Sequence, residues 1–258
     1  MNYGLHVAAS GLLVNMHRQD VIANNLANVN TTGFKPDIPM VQQRAVERLE
    51  DGLPIAPHEH LERLGGGVLA APTKTRFSDG PVEITGRALD VAIRGEGFLQ
   101  LSSGSGDGSE KFRYSRDGRL TLSDSGQLVH AGSGMRVLDE NNRPIRLRPG
   151  ADITIEESGL ILQDGSPVAR IRLVTAPSPD LFVKAGSNMF MLPNNAQESV
   201  TDASGTLQQH ALEGSAVNPI LSLMAIQNAS AAANSNARML QYHDELLGSA
   251  ISRFGRVS

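Results

Sequence analysis

The sequence predicts a mixed, mainly β fold in which a central antiparallel β domain is flanked by a helix at each end of the chain. Three observations predict it. Apolar residues near both termini recur every three or four positions, which is the period of a helix that packs along another helix. Between the termini the apolar period falls to two, the period of half-buried strands. Turn signals such as Asp164-Gly165 recur through that middle region, as expected for antiparallel hairpins.

The first helix is predicted within residues 1 to 35. Its apolar row, the N-terminal seam, comprises Leu5, Ala9, Leu12, Met16, Gln19, Ala23 and Leu26. Gly33 is expected to end the helix, because glycine takes the left-handed cap conformation freely, and Pro36 cannot continue it. Glycines and a run of asparagines lower the intrinsic helix propensity of this segment. We therefore expect it to need a partner.

The second helix is predicted within residues 216 to 258. Its C-terminal seam comprises Leu223, Ile226, Ser230, Ala233, Ala237, Leu240, Asp244, Leu247, Ile251 and Phe254. Asn218 is a suitable cap and Pro219 is tolerated in the first turn. We expect the two helices to pair as a coiled-coil-like helical domain. Small residues between Ala229 and Ala233 bury little area each, so neighbouring copies are expected to supply further burial.

Residues 36 to 67 are predicted to be an extended linker, because prolines recur and Gly65-Gly66-Gly67 closes the segment. A short helix from Val41 to Leu49 is compatible with the local sequence. The segment is either an ordinary surface loop or an extended arm that contacts neighbouring subunits.

Residues 68 to 213 are predicted to be all-β. Leu89, Val91 and Ile93 alternate with other residues, as do Ala169, Ile171 and Leu173. Residues 102 to 110 are expected to be a hairpin loop. Turn signals stand at Asp79-Gly80, Asp107-Gly108, Asp117-Gly118, Ser125-Gly126, Ser158-Gly159 and Asp164-Gly165.

Composition excludes several classes of partner. The formal net charge of -4 offers no basic field for nucleic acid or anionic lipid. Aromatic residues make up 4% of the chain and tryptophan is absent, so stacked bases and sugar platforms are disfavoured. The absence of cysteine removes disulfides and thiolate metal sites. Without a cleavable signal or an apolar run of membrane-spanning length, composition alone predicts a cytoplasmic protein without membrane insertion.

The sequence offers no catalytic template. It lacks a G-x-S-x-G elbow, a phosphate loop and an H-E-x-x-H motif. His58-Glu59-His60 provides too few ligands for a closed zinc site. Gly95-Glu96-Gly97 is expected to be a tight turn, since no helix follows it. The carboxylates Asp90, Glu96, Asp117 and Asp124 are expected to be structural. We therefore predict no catalytic residue, no cofactor and no metal.

Four segments carry a resemblance to a known family. They are VIANNLANVNTTGFK (21 to 35), LDVAIRGEGF (89 to 98), YSRDGRLTLSDSGQLVHAGSGMRV (114 to 137) and LEGSAVNP (212 to 219). Together with the weaker DGPVEITG (79 to 86), they are similar, in the same order, to motifs of the flagellar rod and hook axial proteins. The resemblance covers most of the chain. It is strongest toward the rod subunits, proximal first and distal next.

The resemblance implies a non-catalytic subunit of the flagellar basal-body rod. Its terminal helices would form the inner tube and its β domain the outer wall. The implied partners are further copies in a helical tube, other rod and hook axial proteins, and the flagellar type III export apparatus. The implied location is the basal body, spanning the periplasm, after export without cleavage, which replaces the cytoplasmic prediction. The alternatives are a hook-type axial subunit, an exported β-rich enzyme acting on the cell wall, and an adhesin or scaffold domain.

On this interpretation the predicted site is an assembly interface rather than an active site. Its expected residues are Leu5, Leu12, Met16, Asn24, Asn25, Leu26, Asn28, Gly33, Phe34, Asn218, Leu223, Ile226, Leu240 and Leu247. The sequence departs from the family pattern at Ala216, where asparagine is usual, and at residues 228 to 232, where a bulkier stretch is usual. These departures concern the choice of neighbour more than the fold.

Overall fold

The computed structural model describes residues 3–45, 65–104, 111–193 and 199–254. The chain divides into two compact units. The helical unit comprises Met1–Ala27, Asp37–Arg76 and Asn218–Ser258, and the β unit comprises Asn28–Pro36 and Phe77–Val217. The predicted mixed, mainly β composition with a helix near each end of the chain is confirmed.

The two helices of the helical unit are α1 (Tyr3–Ala27) and α2 (Pro219–Phe254). Asn218 caps α2 as predicted, since its Oδ1 accepts the Leu221 N–H at 3.1 Å. The predicted end of α1 at Gly33 is wrong, because the helix stops at Ala27. There Thr31 donates from its N–H to the carbonyl of Asn28 and from its hydroxyl to the Asn28 side chain, both at 3.1 Å. Such local bonds compete with a helix.

The helical unit also contains a β-hairpin. It consists of β1 (Asp37–Gln43) and β2 (Val68–Thr75), paired antiparallel. The helix predicted from Val41 is therefore wrong as far as Gln43, because these residues are paired in a strand ladder. Residues 46–64 lie outside the described part. The main segment of the β unit begins at Phe77, whereas the expected boundary was residue 68, and whether 68 to 213 folds alone stays a prediction.

The described part of the β unit contains sixteen strands. They are β3 (Val82–Ile84), β4 (Val91–Arg94), β5 (Phe98–Ser102), β6 (Phe112–Ser115), β7 (Leu120–Leu122), β8 (Leu128–His130), β9 (Arg136–Val137), β10 (Ile153–Ile155), β11 (Leu160–Gln163), β12 (Ser166–Arg170), β13 (Leu173–Thr175), β14 (Val183–Lys184), β15 (Phe190–Met191), β16 (Thr201–Asp202), β17 (Thr206–Gln209) and β18 (Ala211–Glu213). A short 3-10 helix spans Pro179–Leu181.

The largest sheet has the order β14-β15-β6-β5-β9-β8-β7, with β13 also on β5 and β16 on β13. Smaller ladders are β10-β11-β12, β17-β4 and β18-β3. Every residue of β5 is buried. Phe98 belongs to an aromatic cluster, whereas Leu99 and Leu101 belong to an aliphatic core. Since alternate residues of a strand face opposite sides, β5 separates these two cores.

The predicted turns have mixed outcomes. Asp164-Gly165 forms a two-residue turn between β11 and β12, with positive φ at both residues. The turns at Ser125-Gly126 and Ser158-Gly159 also join antiparallel neighbours. The hairpin predicted at Asp117-Gly118 is wrong, because β6 pairs with β5 and β15 rather than with β7.

Two further predicted turns and one predicted half-buried strand in the middle region also differ from the structure or lie outside its described part. No hairpin forms at Asp79-Gly80, since β3 pairs with the distant β18. Asp107-Gly108 lies outside the described residues, although β5 and β6, which precede and follow it in sequence, do pair. The half-buried strand expected around Val91 is instead buried on both faces, since Asp90 and Ala92 are as inaccessible as Val91 and Ile93. Elements on both sides cover it.

Candidate assembly site

The two helices of the helical unit run antiparallel at very close range. A Cβ added to Gly4 would lie 2.9 Å from Nε2 of His243, and one added to Gly11 would lie 2.8 Å from Nδ2 of Asn236. Residue numbers therefore rise along α1 as they fall along α2. Glycine allows this approach because it has no side chain to displace.

The contact uses small residues. Ala8, Ala229 and Ala233 are buried, and Ala8 continues the row from Gly4 to Gly11. This row lies one position before the predicted N-terminal seam. The predicted seam is therefore not the centre of the contact between α1 and α2.

A second side of α1 is bonded to the hairpin. The Tyr3 hydroxyl donates to the carbonyl of Gly65, and Ser10 Oγ accepts the N–H of Val68 at 3.3 Å. Asn25 is buried and exchanges two hydrogen bonds with the backbone of Asp37, at 2.7 and 2.9 Å. These bonds assign Asn25 a role inside the helical unit.

The remaining sides of both helices expose large apolar side chains. On α1, Leu13 is 66% exposed and Met16 is 50% exposed. On α2, the large apolar residues that are at least half exposed are Ile220, Leu221, Leu223, Met224, Met239, Tyr242, Leu246 and Ile251. Five of them fall along one side of α2 at helical spacing. We call this group, Leu221, Met224, Met239, Tyr242 and Leu246, the apolar stripe.

The structure brings only part of the predicted interface to the surface. Met16 and Leu223 are about half exposed. Asn24 is exposed, and the half-buried members are Leu5, Leu12, Leu26, Asn28, Ile226, Leu240 and Leu247. Gly33 and Phe34 are buried within the β unit, which leaves them little surface for a neighbouring subunit. Sequence reasoning missed Leu13 and the apolar stripe, whose five positions were visible as Leu, Met and Tyr residues at helical spacing.

The β unit contains a buried ion cluster, the Lys35 cluster, formed by Lys35, Asp79, Arg116 and Glu213. Lys35 Nζ lies 2.5 Å from Glu213 Oε1 and donates to the Ser78 carbonyl at 2.7 Å. Both side chains are at most 1% exposed. Burial lowers the pKa of Lys35, and the nearby Arg116 lowers it further, whereas Glu213 opposes both.

Arg116 completes this cluster. Its Nη1 lies 3.0 Å from Asp79 Oδ1 and 3.4 Å from Glu213 Oε2, and its Nη2 donates to the Gly95 carbonyl at 2.7 Å. The guanidinium also lies over the ring of Phe98, 5.3 Å from its centroid. Two cations and two carboxylates therefore balance in a site that is closed to water except at Asp79, which is 53% exposed.

Backbone bonds join the two chain segments that carry the paired charges. The Gly33 N–H donates to the Glu213 carbonyl at 2.7 Å, and the Ala216 N–H donates to the Phe34 carbonyl at 3.1 Å. Gly33 has φ +66°, and a Cβ there would lie 2.6 Å from the carbonyl carbon of Arg116. Its role is therefore close approach within the β unit.

The segments that carried the family resemblance meet at this cluster. Lys35, Asp79, Gly95, Arg116 and Glu213 come from the segments 21 to 35, 79 to 86, 89 to 98, 114 to 137 and 212 to 219, respectively. The motifs are far apart in sequence but share one packing site.

A second buried carboxylate also has a structural role. Asp117 is 1% exposed and accepts from Arg119 Nε at 2.9 Å and from Arg119 Nη2 at 2.6 Å. Nε2 of His130 lies 3.2 Å from Asp117 Oδ2, the oxygen that also accepts from Arg119 Nη2. Burial alone would raise the pKa of Asp117, but hydrogen bonds from His130 and Arg119 outweigh it and lower the pKa to about 2.

The β unit has a pocket of about 200 Å³ next to Arg116, and its lining includes the rings of Phe77, Phe98 and Phe182. Among the described residues Glu96 is the one carboxylate that lines it, whereas glycoside hydrolysis generally uses a pair of carboxyl groups. Within the described residues no three histidine or acidic side chains converge as metal ligands, and His58-Glu59-His60 falls outside that part.

As far as it is described, neither helix is apolar enough over a sufficient length to cross a membrane.

Comparisons with known proteins agree with the motifs. Residues 5–35 match a family model described as flagella basal body rod protein, and residues 92–209 match one described as flagellar hook protein FlgE/F/G D1 domain. The flagellar basal-body rod protein FlgF of Caulobacter vibrioides is 32% identical, with both chains covered in full. FlgG of the same organism is 30% identical over 94% of this chain and 96% of its own. The hook protein FlgE of Treponema pallidum is 37% identical over 53% of this chain and 29% of its own.

Proposed function

This chain belongs to the family of flagellar basal-body rod proteins, and from that premise we propose that it is a structural subunit of the rod which polymerises through its terminal helices into a tubular drive shaft. The relatives support this through their full-length similarity to the chain. The observation that carries the assembly mechanism is the apolar stripe of α2, together with Leu13 and Met16 of α1.

The apolar stripe is costly for a subunit that remains alone in water. Tyr242 and Leu246 are each more than 60% exposed, and burying such a side chain contributes about 1.5–3 kcal/mol. The stripe consists of two groups of exposed apolar side chains, one at Leu221 and Met224 and one from Met239 to Leu246, and exposed apolar groups of this kind are typical of interaction sites. Neighbouring copies would remove it from water.

The geometry of assembly follows from the placement of these residues. Leu13 and the apolar stripe lie on different helices, so one subunit offers two different patches to its neighbours. A contact between unlike patches is heterologous and extends into a helical tube when its rotation does not close. We further propose that the antiparallel α1 and α2 form a coiled-coil-like pair within each subunit.

The proposed partners are further copies of this chain, other rod and hook axial proteins, and the flagellar type III export apparatus. The proposed location is the basal body, spanning the periplasm, after export without removal of a signal peptide. We assign the chain no catalytic role, cofactor or metal. The predicted interface residues that have exposed surface, notably Met16, Asn24 and Leu223, remain proposed contacts.

A hook-type axial subunit is the second candidate, favoured by the 37% identity with a hook protein over about half of the chain. Labelling the chain in isolated basal bodies distinguishes the two positions. The proposal is supported if the label lies within the rod and if motility is lost when the gene for this chain is deleted. Label confined to the hook would replace it, and label absent from the axial structure would refute both.

A further inference from the structure

Lys35 and Glu213 are 178 residues apart and belong to the two outer segments of the β unit, Asn28–Pro36 and the end of Phe77–Val217. We propose that the Lys35 cluster is a latch that makes docking of residues 28 to 36 conditional on Glu213, so that the β unit closes only when its last strand, β18, is in place.

Lys35 carries a buried positive charge that needs a carboxylate partner. The Lys35 ammonium is fully buried, and its acceptors are Glu213 Oε1 and the neutral carbonyl of Ser78. Arg116 adds a second cation beside it. Without Glu213, Lys35 would have to enter this site against Arg116 with only a carbonyl as acceptor, which is strongly unfavourable for a buried cation.

The other contacts of residues 28 to 36 provide no negative charge for Lys35. Asn188 Nδ2 donates to the Thr32 carbonyl at 2.6 Å, and Lys184 Nζ donates to the Lys35 carbonyl at 2.7 Å and lies 4.3 Å from the Phe34 ring centroid. They orient the backbone and a ring. Asp79 bonds Arg116 and attracts Lys35 only from a greater distance, so Glu213 is the carboxylate that meets the Lys35 charge directly.

The latch is asymmetric. If Lys35 is removed, Glu213 keeps Arg116 at 3.4 Å and the Gly80 N–H at 2.8 Å. If Glu213 is removed, Lys35 keeps no carboxylate within hydrogen-bond distance among the described residues. Loss of Glu213 should thus open the segment, whereas loss of the Lys35 charge should not.

The test is amide hydrogen exchange on the full chain, comparing Glu213→Gln, Lys35→Met and the double variant, with Glu83→Gln as the matched control. Glu83 is exposed on β3, directly across from β18. In Glu213→Gln we expect exchange in residues 28 to 36 and 214 to 217 to accelerate by about a hundredfold or more, while β5 and β6 stay protected. Lys35→Met, Glu83→Gln and the double variant should retain protection in residues 28 to 36.

Each outcome decides the proposal. Unchanged protection of residues 28 to 36 in Glu213→Gln would overturn it. Equal loss in Lys35→Met would show an ordinary pairwise ion bridge and would also overturn it. If Glu213→Gln does not fold at all, a folded double variant supports the latch, and an unfolded double variant contradicts it. None of these readings depends on the protein being a rod subunit.

Discussion

Gly11 of α1 lies directly against Asn236 of α2, so that a single added Cβ would come within 2.8 Å of the Asn236 side-chain nitrogen. The pair fixes both the distance and the antiparallel register of the two helices. Because the Asn236 side chain already fills the space beside Gly11, the contact tolerates little additional volume there.

Replacing Gly11 by Leu should therefore separate α1 from α2. Overpacking of a close contact costs about 1–3 kcal/mol. We expect faster proteolysis of α1 with no change in the melting of the β unit. Gly248→Leu is the control, because Gly248 lies on the partner helix α2 and a Cβ there would meet nothing within 4 Å. If both variants resist protease as well as the unaltered chain, the close contact is not a determinant of helix pairing.

Asp117 makes the stability of the β unit dependent on pH. Its pKa is about 2 in the folded chain and about 4 when unfolded, so the folded state favours the carboxylate. This stabilisation, about 2 kcal/mol, is fully present above pH 4 and is lost as pH falls from 4 to 2. Thermal melts across that window should show the loss.

Asp117→Asn should lower the melting temperature at pH 7 by about 5–8 °C and flatten the decline between pH 4 and 2. Asp124→Asn, at an exposed turn, is the control. An acid decline of unaltered size in Asp117→Asn would show that another group is responsible.

The third prediction concerns the boundaries of the β unit. Shortened chains of residues 28 to 217 and 68 to 213 differ in whether they contain Lys35 and its segment. We expect the longer one to melt cooperatively at a higher temperature, because the shorter one leaves the surface around Glu213 uncovered. Equal melting temperatures would mean that residues 28 to 36 add nothing to the unit, and would support the boundary expected from the sequence.

The helices and local turns could be predicted because their causes are local. Asn218 caps α2 through its own side chain, and Asp164-Gly165 turns because both residues accept positive φ. The Lys35 cluster could not be predicted, since Glu213 is 178 residues away and nothing local to Lys35 indicates that its charge is buried. The hairpin prediction at Asp117-Gly118 was wrong for the same reason, because β6 pairs with strands that are not its neighbours across that turn.

The predicted seams lie near the proposed assembly surface without coinciding with it. A narrow row at a 4,3,4,3 spacing selected Leu26 and Leu240, which are half-buried in the subunit. An aspartate at either position would disturb folding and assembly together. Leu13 and Leu246 are 66% and 67% exposed, so substitutions there separate the two effects.

The most direct test of the account is the assembly of Leu246→Asp and Leu13→Asp, followed by sedimentation and electron microscopy of the purified protein and by motility of cells that carry the variants. In the subunit each change should cost no more than about 0.5 kcal/mol, as for ordinary surface positions. In the polymer each would bury an unpaired carboxylate, at several kcal/mol per subunit. Ile84→Asp is the control, since Ile84 is 82% exposed on a strand of the β unit. We predict unchanged melting in all three, with assembly and motility lost in the two helix variants alone. Normal assembly of Leu246→Asp and Leu13→Asp would contradict the claim that the exposed helix faces are the polymer contacts.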